Sequence, residues 1–341
     1  MGQSVSPPAG GPPPPAPSGD ILYVNLNNPL DQGDEYRNYK LESVKIKLRS
    51  VNNASSKVLA IIDTGIDTTR FNSDMRKLIW QPPAGGLKLF NFLGGNPIDF
   101  KDDHPVKHGT AVVALALNAI SDGAYPRLMI LKALDKNKKG STFTVSCALS
   151  YAIQNKADVI NASLGYYETQ RNIDLILKEY LLKCDTVKPN RIYVFAAAGN
   201  LSGPHIPSSA YCSHPGIGNE LNPNRLFYPA CFSDGMNHVI SVTGLSDPQT
   251  GCFFQNYSKQ FVTLGVLNQT GCCKFYVPFL AAGYEGSSFA TPVATGMAMR
   301  LLISGTPDIL DCINAIQQTA PGNPVTKNGH YIIYPGNPIG F

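Results

Sequence analysis

The stretch GYEGSSFATPVATG, residues 283–296, sets Ser287 and Ser288 between a glycine-containing turn and the start of an apolar helix. A serine hydroxyl attacks a carbonyl only after a base removes its proton, and that base, usually a histidine, needs a carboxylate to fix its tautomer. The chain offers both partners. His108 opens the apolar run KHGTAVVALALNAI, with Gly109 leaving room beside the ring, and Asp63 directly follows the apolar run VLAII. Asn200, after Gly199, adds a side-chain amide. Brought together, a serine, His108 and Asp63 would perform acyl transfer. Taken singly, each has a plainer role: serine caps helices, a histidine at a helix start is more often structural, and aspartate or asparagine after a strand is a common turn residue.

Any such meeting depends on the elements that carry the residues. VLAII (58–62), RLMILKAL (127–134), DVINAS (158–163), RIYVFAAA (191–198) and HVISVTG (238–244) read as buried strands. Between them TAVVALALNAI, FTVSCALSYAIQNK and RNIDLILKEYLLK have helical spacing. ATPVATGMAMRLLI continues the serine pair as a helix that tolerates Pro292 near its first turn. Strand and helix in alternation predict an α/β fold, a mainly parallel sheet with helices on both faces and right-handed crossovers. Ligands of such sheets bind outside the carboxyl ends of the strands. There VLAII runs into Asp63-Thr64-Gly65, DVINA into Ser163-Leu164-Gly165, and YVFAAA into Gly199-Asn200. Residues 1–20, with seven prolines and four glycines, read as an extended tail, and 21–341 as one catalytic domain.

IIDTGID, KHGTAV, INASLGY, FAAAGN and GSSFATP, in this order, resemble the motif set of the subtilisin-like serine proteases, and the likeness extends from Val58 to the GHYIIY segment. The order Asp, His, Ser excludes an α/β-hydrolase, as does the lack of a G-x-S-x-G elbow. The resemblance implies a three-layer subtilisin-like fold and a serine endopeptidase working through an acyl-enzyme. Carried over residue by residue, it makes Asp63 the orienting acid, His108 the general base and Ser288 the nucleophile. Asn200, with the backbone N–H of Ser288, becomes the oxyanion donor, a role worth about 3 kcal/mol of barrier. Ser163, Leu164 and Gly165 would form one edge for an extended peptide and the segment around Gly140 the other, recognition by β-augmentation. Ala197, Ala198 and Gly199 would line the primary pocket, whose small uncharged walls favour an apolar or large residue before the scissile bond. Beside Gly140, the loop Lys136-Asn137-Lys138-Lys139 is either a solvated tip or an attractor of acidic residues along the peptide.

Composition narrows the partners. A net charge of +4 over 341 residues argues against nucleic acid. The apolar runs stay short of the roughly 18 residues of a membrane span, and a secretory signal is missing, which points to the cytoplasm, with secretion as the alternative that the resemblance favours. Cys212, Cys231, Cys252, Cys272 and Cys273 cluster, either as reduced buried thiols or, in an oxidising compartment, as one or two bridges. No cofactor is required. Structural calcium goes with the resemblance, yet the position nine residues after Asp63 holds Asn72, a weaker ligand, with Asp67, Asp74, Asp102 and Asp103 as neighbouring oxygen sources. The resemblance implies a folded inhibitory propeptide, for which the stretch ahead of VLAII has no room, so the chain is expected to be a processed or excised module, or to fold without that assistance and be held inactive by its own N-terminal segment. An extended polypeptide substrate, a monomer and an inhibitor or regulatory partner are expected. A catalytically silent binding module and a peptide ligase or cyclase at the same site remain as alternatives.

Overall fold

The computed structural model describes residues 23–25, 45–46, 48, 54–120, 124–167, 171–186, 191–200, 220–268 and 273–335. The tail expected over 1–20, with Cys212 and Cys272, lies outside the described residues. A short strand β1 (Tyr23–Asn25) precedes β2 (Val58–Asp63), a single turn α1 (Met75–Leu78) and the fully buried helix α2 (His108–Ile120). Next come β3 (Arg127–Lys132), β4 (Lys139–Ser141) and α3 (Thr142–Gln154). A capping box starts α3: Thr144 N donates to Ser141 Oγ at 3.1 Å and Ser141 N to Thr144 Oγ1 at 3.0 Å. β5 (Val159–Ala162), β6 (Tyr166–Tyr167), α4 (Arg171–Thr186), β7 (Tyr193–Ala197) and β8 (Phe227–Tyr228) follow. β9 (Val239–Asp247), β10 (Thr250–Gly251), β11 (Leu264–Asn268), β12 (Lys274–Val277) and β13 (Leu280–Glu285) lead to α5 (Ser287–Ile303). α6 (Ile309–Ile316), β14 (Gln318–Thr319) and β15 (His330–Tyr334) complete the fold.

The central sheet runs β14-β15-β11-β9-β7-β5-β2-β3, with β10 paired to β9. From β15 to β3 every neighbouring pair is parallel, and β14 and β10 add antiparallel margins. The two-residue period of the strands divides the core. Leu59, Ile61, Leu128, Ile130, Tyr193 and Phe195 join α2 and α5 in one cluster. Ala60, Ile62, Met129, Leu131, Val194 and Ala196 join α3 and α4 in another. The result is the three-layer α/β architecture expected from the alternation of elements. Among the described residues no helix is long and apolar enough to cross a membrane.

Two helices bear on the site. α5 lies against β5, β7, β9 and β11 and packs along α2. The approach is backbone to backbone: a Cβ added at Gly296 would lie 2.2 Å from the Ala116 carbonyl oxygen. α5 begins at Ser287, so Pro292 is its sixth residue, in the second turn and not the first. Buried packing of the serines extends the helix backwards past the point that proline alone would set, and Pro292 supplies no N–H to the Ser288 carbonyl four residues earlier.

Of the clustered cysteines, Cys252 and Cys273 form a disulfide across 21 residues, while Cys231 is a buried thiol. Replacing Cys252 and Cys273 by serine is predicted to lower the unfolding free energy by about 3 kcal/mol through the loop entropy released. Urea unfolding reads this directly, and an unchanged midpoint would rule out a stabilising bridge.

Candidate active site

β2 carries Asp63 at its carboxyl end and α2 starts with His108, so the candidate acid and base come from the end of a strand and the beginning of a helix. Both are buried, and His108 Nδ1 lies 2.8 Å from Asp63 Oδ1. An ionised carboxylate only accepts, so the imidazole donates from Nδ1 and keeps its lone pair on Nε2. Gly109 makes the approach feasible, since a Cβ there would sit 2.3 Å from the Gly65 carbonyl oxygen and 3.1 Å from Asp63 Oδ1.

A second carboxylate holds this pair in register. Asp102, fully buried, accepts Thr64 Oγ1 (2.9 Å) and His104 N (3.1 Å) on one oxygen. Its other oxygen accepts Thr110 N (2.9 Å) and Thr110 Oγ1 (2.6 Å). Thr64 follows Asp63 and Thr110 lies two residues past His108, so Asp102 clamps both segments that meet. Thr64 Oγ1 also accepts Gly109 N at 2.9 Å. Burial, opposed by the Thr110 hydrogen bonds and aided by the charge of Asp63, raises the pKa of Asp102 above the usual carboxylate value. The threonines of DTG and HGT signal this network in the sequence, whereas Asp102 has no local signal because its partners are brought by the fold.

Ser287 and Ser288 are the first two residues of α5, both buried, and the cap position belongs to Gly286, which has no side chain to cap with. Gly286 has φ +121°, a conformation few other residues adopt. Ser287 Oγ accepts Gly199 N at 3.0 Å, and Ser287 N donates to Asn200 Oδ1 at 3.0 Å. A backbone N–H can only donate, which assigns oxygen to the end of the Asn200 amide facing α5 and leaves its Nδ2 directed elsewhere. Ser288 is linked to His108 through its neighbour: the Phe289 ring packs 5.0 Å from the His108 ring. Among the described residues no hydrogen bond joins the Ser288 hydroxyl to the imidazole; catalytic contacts of this kind often tighten only with substrate present.

The expected substrate edges lie at the same end of the sheet. Ser163, Leu164 and Gly165 follow β5; Ala197 ends β7 and Ala198 and Gly199 follow it. All are buried or close to it, and Asn161 Nδ2 donates to Ser163 Oγ at 2.9 Å. Gly140 is the middle residue of β4. The lysine loop departs from expectation. Lys138 is buried, which pushes its pKa well below the ordinary lysine value, so only Lys136 and Lys139 stand exposed there.

The carboxylate oxygens considered for calcium are engaged elsewhere, whereas Asn72 Oδ1 is buried with no hydrogen-bond partner among the described residues. Asn72 Nδ2 donates to Leu48 O at 3.1 Å; Asp67 accepts Thr69 Oγ1 at 2.6 Å and lies 3.5 Å from Lys107 Nζ. Asp74 pairs with Lys77 at 2.6 Å, Asp103 with Lys132 at 3.1 Å, and Asp102 is saturated by its donors. Among the described residues no group of three or more His, Cys, Asp or Glu side chains that could hold a metal ion occurs.

Residues 55–309 match the model of the subtilase family. Over 248 residues the chain is 27% identical to an intracellular serine protease of Paenibacillus polymyxa, covering 70% of this chain and 64% of that protein. A thermophilic serine proteinase of Bacillus sp. (strain AK1) is 30% identical over 295 residues, 82% of this chain and 60% of its own length. The chain thus spans less than two thirds of the length of either relative. A cold-adapted subtilisin-like serine proteinase of known structure shares the fold at a TM-score of 0.56 and 16% identity, covering 89% of this chain and 98% of its own.

His104 packs edge-on 6.0 Å from His108, and its buried Nδ1 has no hydrogen-bond partner among the described residues. Burial first, then electrostatic repulsion from His108 in its protonated form and from Lys107, lowers its pKa from the ordinary 6.5 to about 3. The folded protein keeps this ring neutral while the unfolded chain protonates it, so the stability it contributes is complete above pH 6.5 and is lost as pH falls towards 3. His104→Gln is predicted to flatten the acid limb of stability by up to about 1.4 kcal/mol per pH unit between those limits. Urea midpoints measured at several pH values check this, and parallel acid limbs for variant and parent would refute it.

Proposed function

The chain belongs to the subtilase family, and from that premise we propose that its cleft hydrolyses peptide bonds as a serine endopeptidase, with Asp63, His108 and Ser288 as the relay and Asn200 as an oxyanion donor. The observation that carries the proposal is the buried 2.8 Å contact between Asp63 and His108 Nδ1. It leaves Nε2 as the basic nitrogen. Nε2 takes the proton of Ser288 Oγ while that oxygen bonds to the scissile carbonyl carbon, and the carbonyl electron pair moves onto its oxygen. Two donors suit that oxyanion. One is Asn200 Nδ2, because Oδ1 is held by Ser287 N. The other is the Ser288 N–H: in the first turn of α5, Ser287 N is taken by Asn200 and Phe289 N by Gly286 O at 3.0 Å. Collapse breaks the C–N bond, His108 passes its proton to the departing amine, and water then releases the acyl group by the same steps in reverse.

The strand β1 supports an extended mode of binding. It pairs antiparallel with β4, Val24 opposite Gly140, and also lies beside β6, the strand that follows Gly165. The chain's own segment therefore lies where a β-augmenting peptide would be laid. A substrate has to displace it, so β1 acts as a built-in competitor. The Cys252–Cys273 bridge supports an oxidising compartment, and hence export over the cytoplasm.

A fluorophosphonate probe is expected to label the full chain at Ser288, as peptide mapping would show, and Ser288→Ala to lose the label. Absence of label from the parent chain would favour a catalytically silent module. Asn200→Leu is expected to lower kcat about 10²- to 10³-fold with little change in KM. Val24→Pro, which disfavours strand pairing, is expected to lower KM for peptides severalfold. An unchanged KM would remove β1 as a competitor.

A further inference from the structure

Where the peptide edges meet, an aromatic ring already fills the space between them. β5 and β7 are adjacent and parallel, with Ala162 opposite Ala196, so Gly165 and Gly199 follow neighbouring strand ends. β6 and β8 pair antiparallel with Tyr167 opposite Phe227. A Cβ built at Gly165 would lie 2.2 Å from Phe227 Cε1 and 2.6 Å from its Cζ, and one built at Gly199 would lie 2.7 Å from each of the same two atoms. Both glycines are thus in contact with one edge of one ring, which is inserted in the slot between them.

The ring is fixed. Phe227 is buried at 4% exposure, its N–H donates to Cys231 Sγ at 3.2 Å, and the Tyr167 ring meets it edge-on at 5.0 Å. Tyr167 is itself tethered, its hydroxyl lying 3.0 Å from Asn200 O and 2.9 Å from Asn256 Oδ1. Asn256 Nδ2 donates to Ala198 O at 2.8 Å and closes the space beside Gly199. Such a packed and hydrogen-bonded floor does not swing aside as a surface side chain would.

We propose that Phe227 is a specificity-determining residue that occupies the pocket for the side chain preceding the scissile bond, so that the substrates are peptides with glycine, alanine or serine at that position. The proposal rests on the proteolytic assignment of the same cleft. The small apolar walls expected from Ala197, Ala198 and Gly199 are present, but the volume they would enclose is taken by the ring. Selection therefore acts on size: a large side chain would have to overlap a ring that has nowhere to move.

The test uses the full chain and two peptides differing only in alanine or phenylalanine before the scissile bond. The parent is expected to favour the alanine peptide at least tenfold in kcat/KM. Phe227→Ala is expected to raise kcat/KM for the phenylalanine peptide at least tenfold and to reverse the preference; Phe227→Leu, which keeps more of the packing, moves the ratio part of the way. Cooperative thermal unfolding of each variant reports that it folds. A parent that labels with fluorophosphonate yet cleaves after phenylalanine as readily as after alanine overturns the role of Phe227 alone, as does an unchanged ratio in both folded variants. A parent that neither labels nor cleaves overturns the proteolytic assignment and this proposal with it.

Discussion

The contact of α2 with α5 at Gly296 and Ala116 is the constraint from which the rest of the site follows. Two helices that touch backbone to backbone cannot slide relative to each other without opening a gap or a clash. Both begin at the carboxyl end of the sheet, one with His108 and the other with the serine pair. Fixing their axes against β2, β5 and β7 therefore fixes His108 against Asp63 and Ser287 against Gly199 and Asn200. The proposed chemistry needs side chains from residues 63, 108, 200 and 288, and a glycine buried in a helix is what lets the chain bring their carriers close.

Placement comes at an electrostatic cost. Asp63 and Asp102 are both buried carboxylates, and the charge of one contributes to raising the pKa of the other. Four donors on Asp102 offset that penalty, and those donors belong to the segments carrying Asp63 and His108. A buried, hydrogen-bonded charge adds little net stability but strongly disfavours arrangements that leave it unpaired. The neutral ring of His104 beside His108 adds no further charge to this enclosure. The site is thus held by groups that do no chemistry themselves.

Main-chain edges and small residues form the side proposed to bind peptide. β4 already carries β1 as a partner strand, which illustrates the ordinary behaviour of an open strand edge. Gly165 and Gly199 are small because something must press against them, and in this chain it is the Phe227 ring. A glycine-lined pocket can thus be open or filled, depending on a residue far away in sequence.

The sequence by itself determined five strands of the central sheet, four helices and their order, but not β11 or α6, because a two-residue apolar period and a helical period are local properties that burial on both faces of a sheet imposes. β2, β3, β5, β7 and β9 and helices α2 to α5 lie where periodicity placed them, and the ordered motifs marked Asp63, His108, Asn200 and Ser288 as candidates for one site. Only the tertiary structure decided how those residues are held and what surrounds them. The start of α5 ahead of Pro292, the burial of Lys138, the bridge from Cys252 to Cys273, the clamp of Asp102 and the ring of Phe227 between two glycines all depend on contacts between segments distant in the chain. Such contacts leave no periodic trace, since a side chain's partner across the fold is set by packing and hydrogen-bond satisfaction rather than by spacing along the chain.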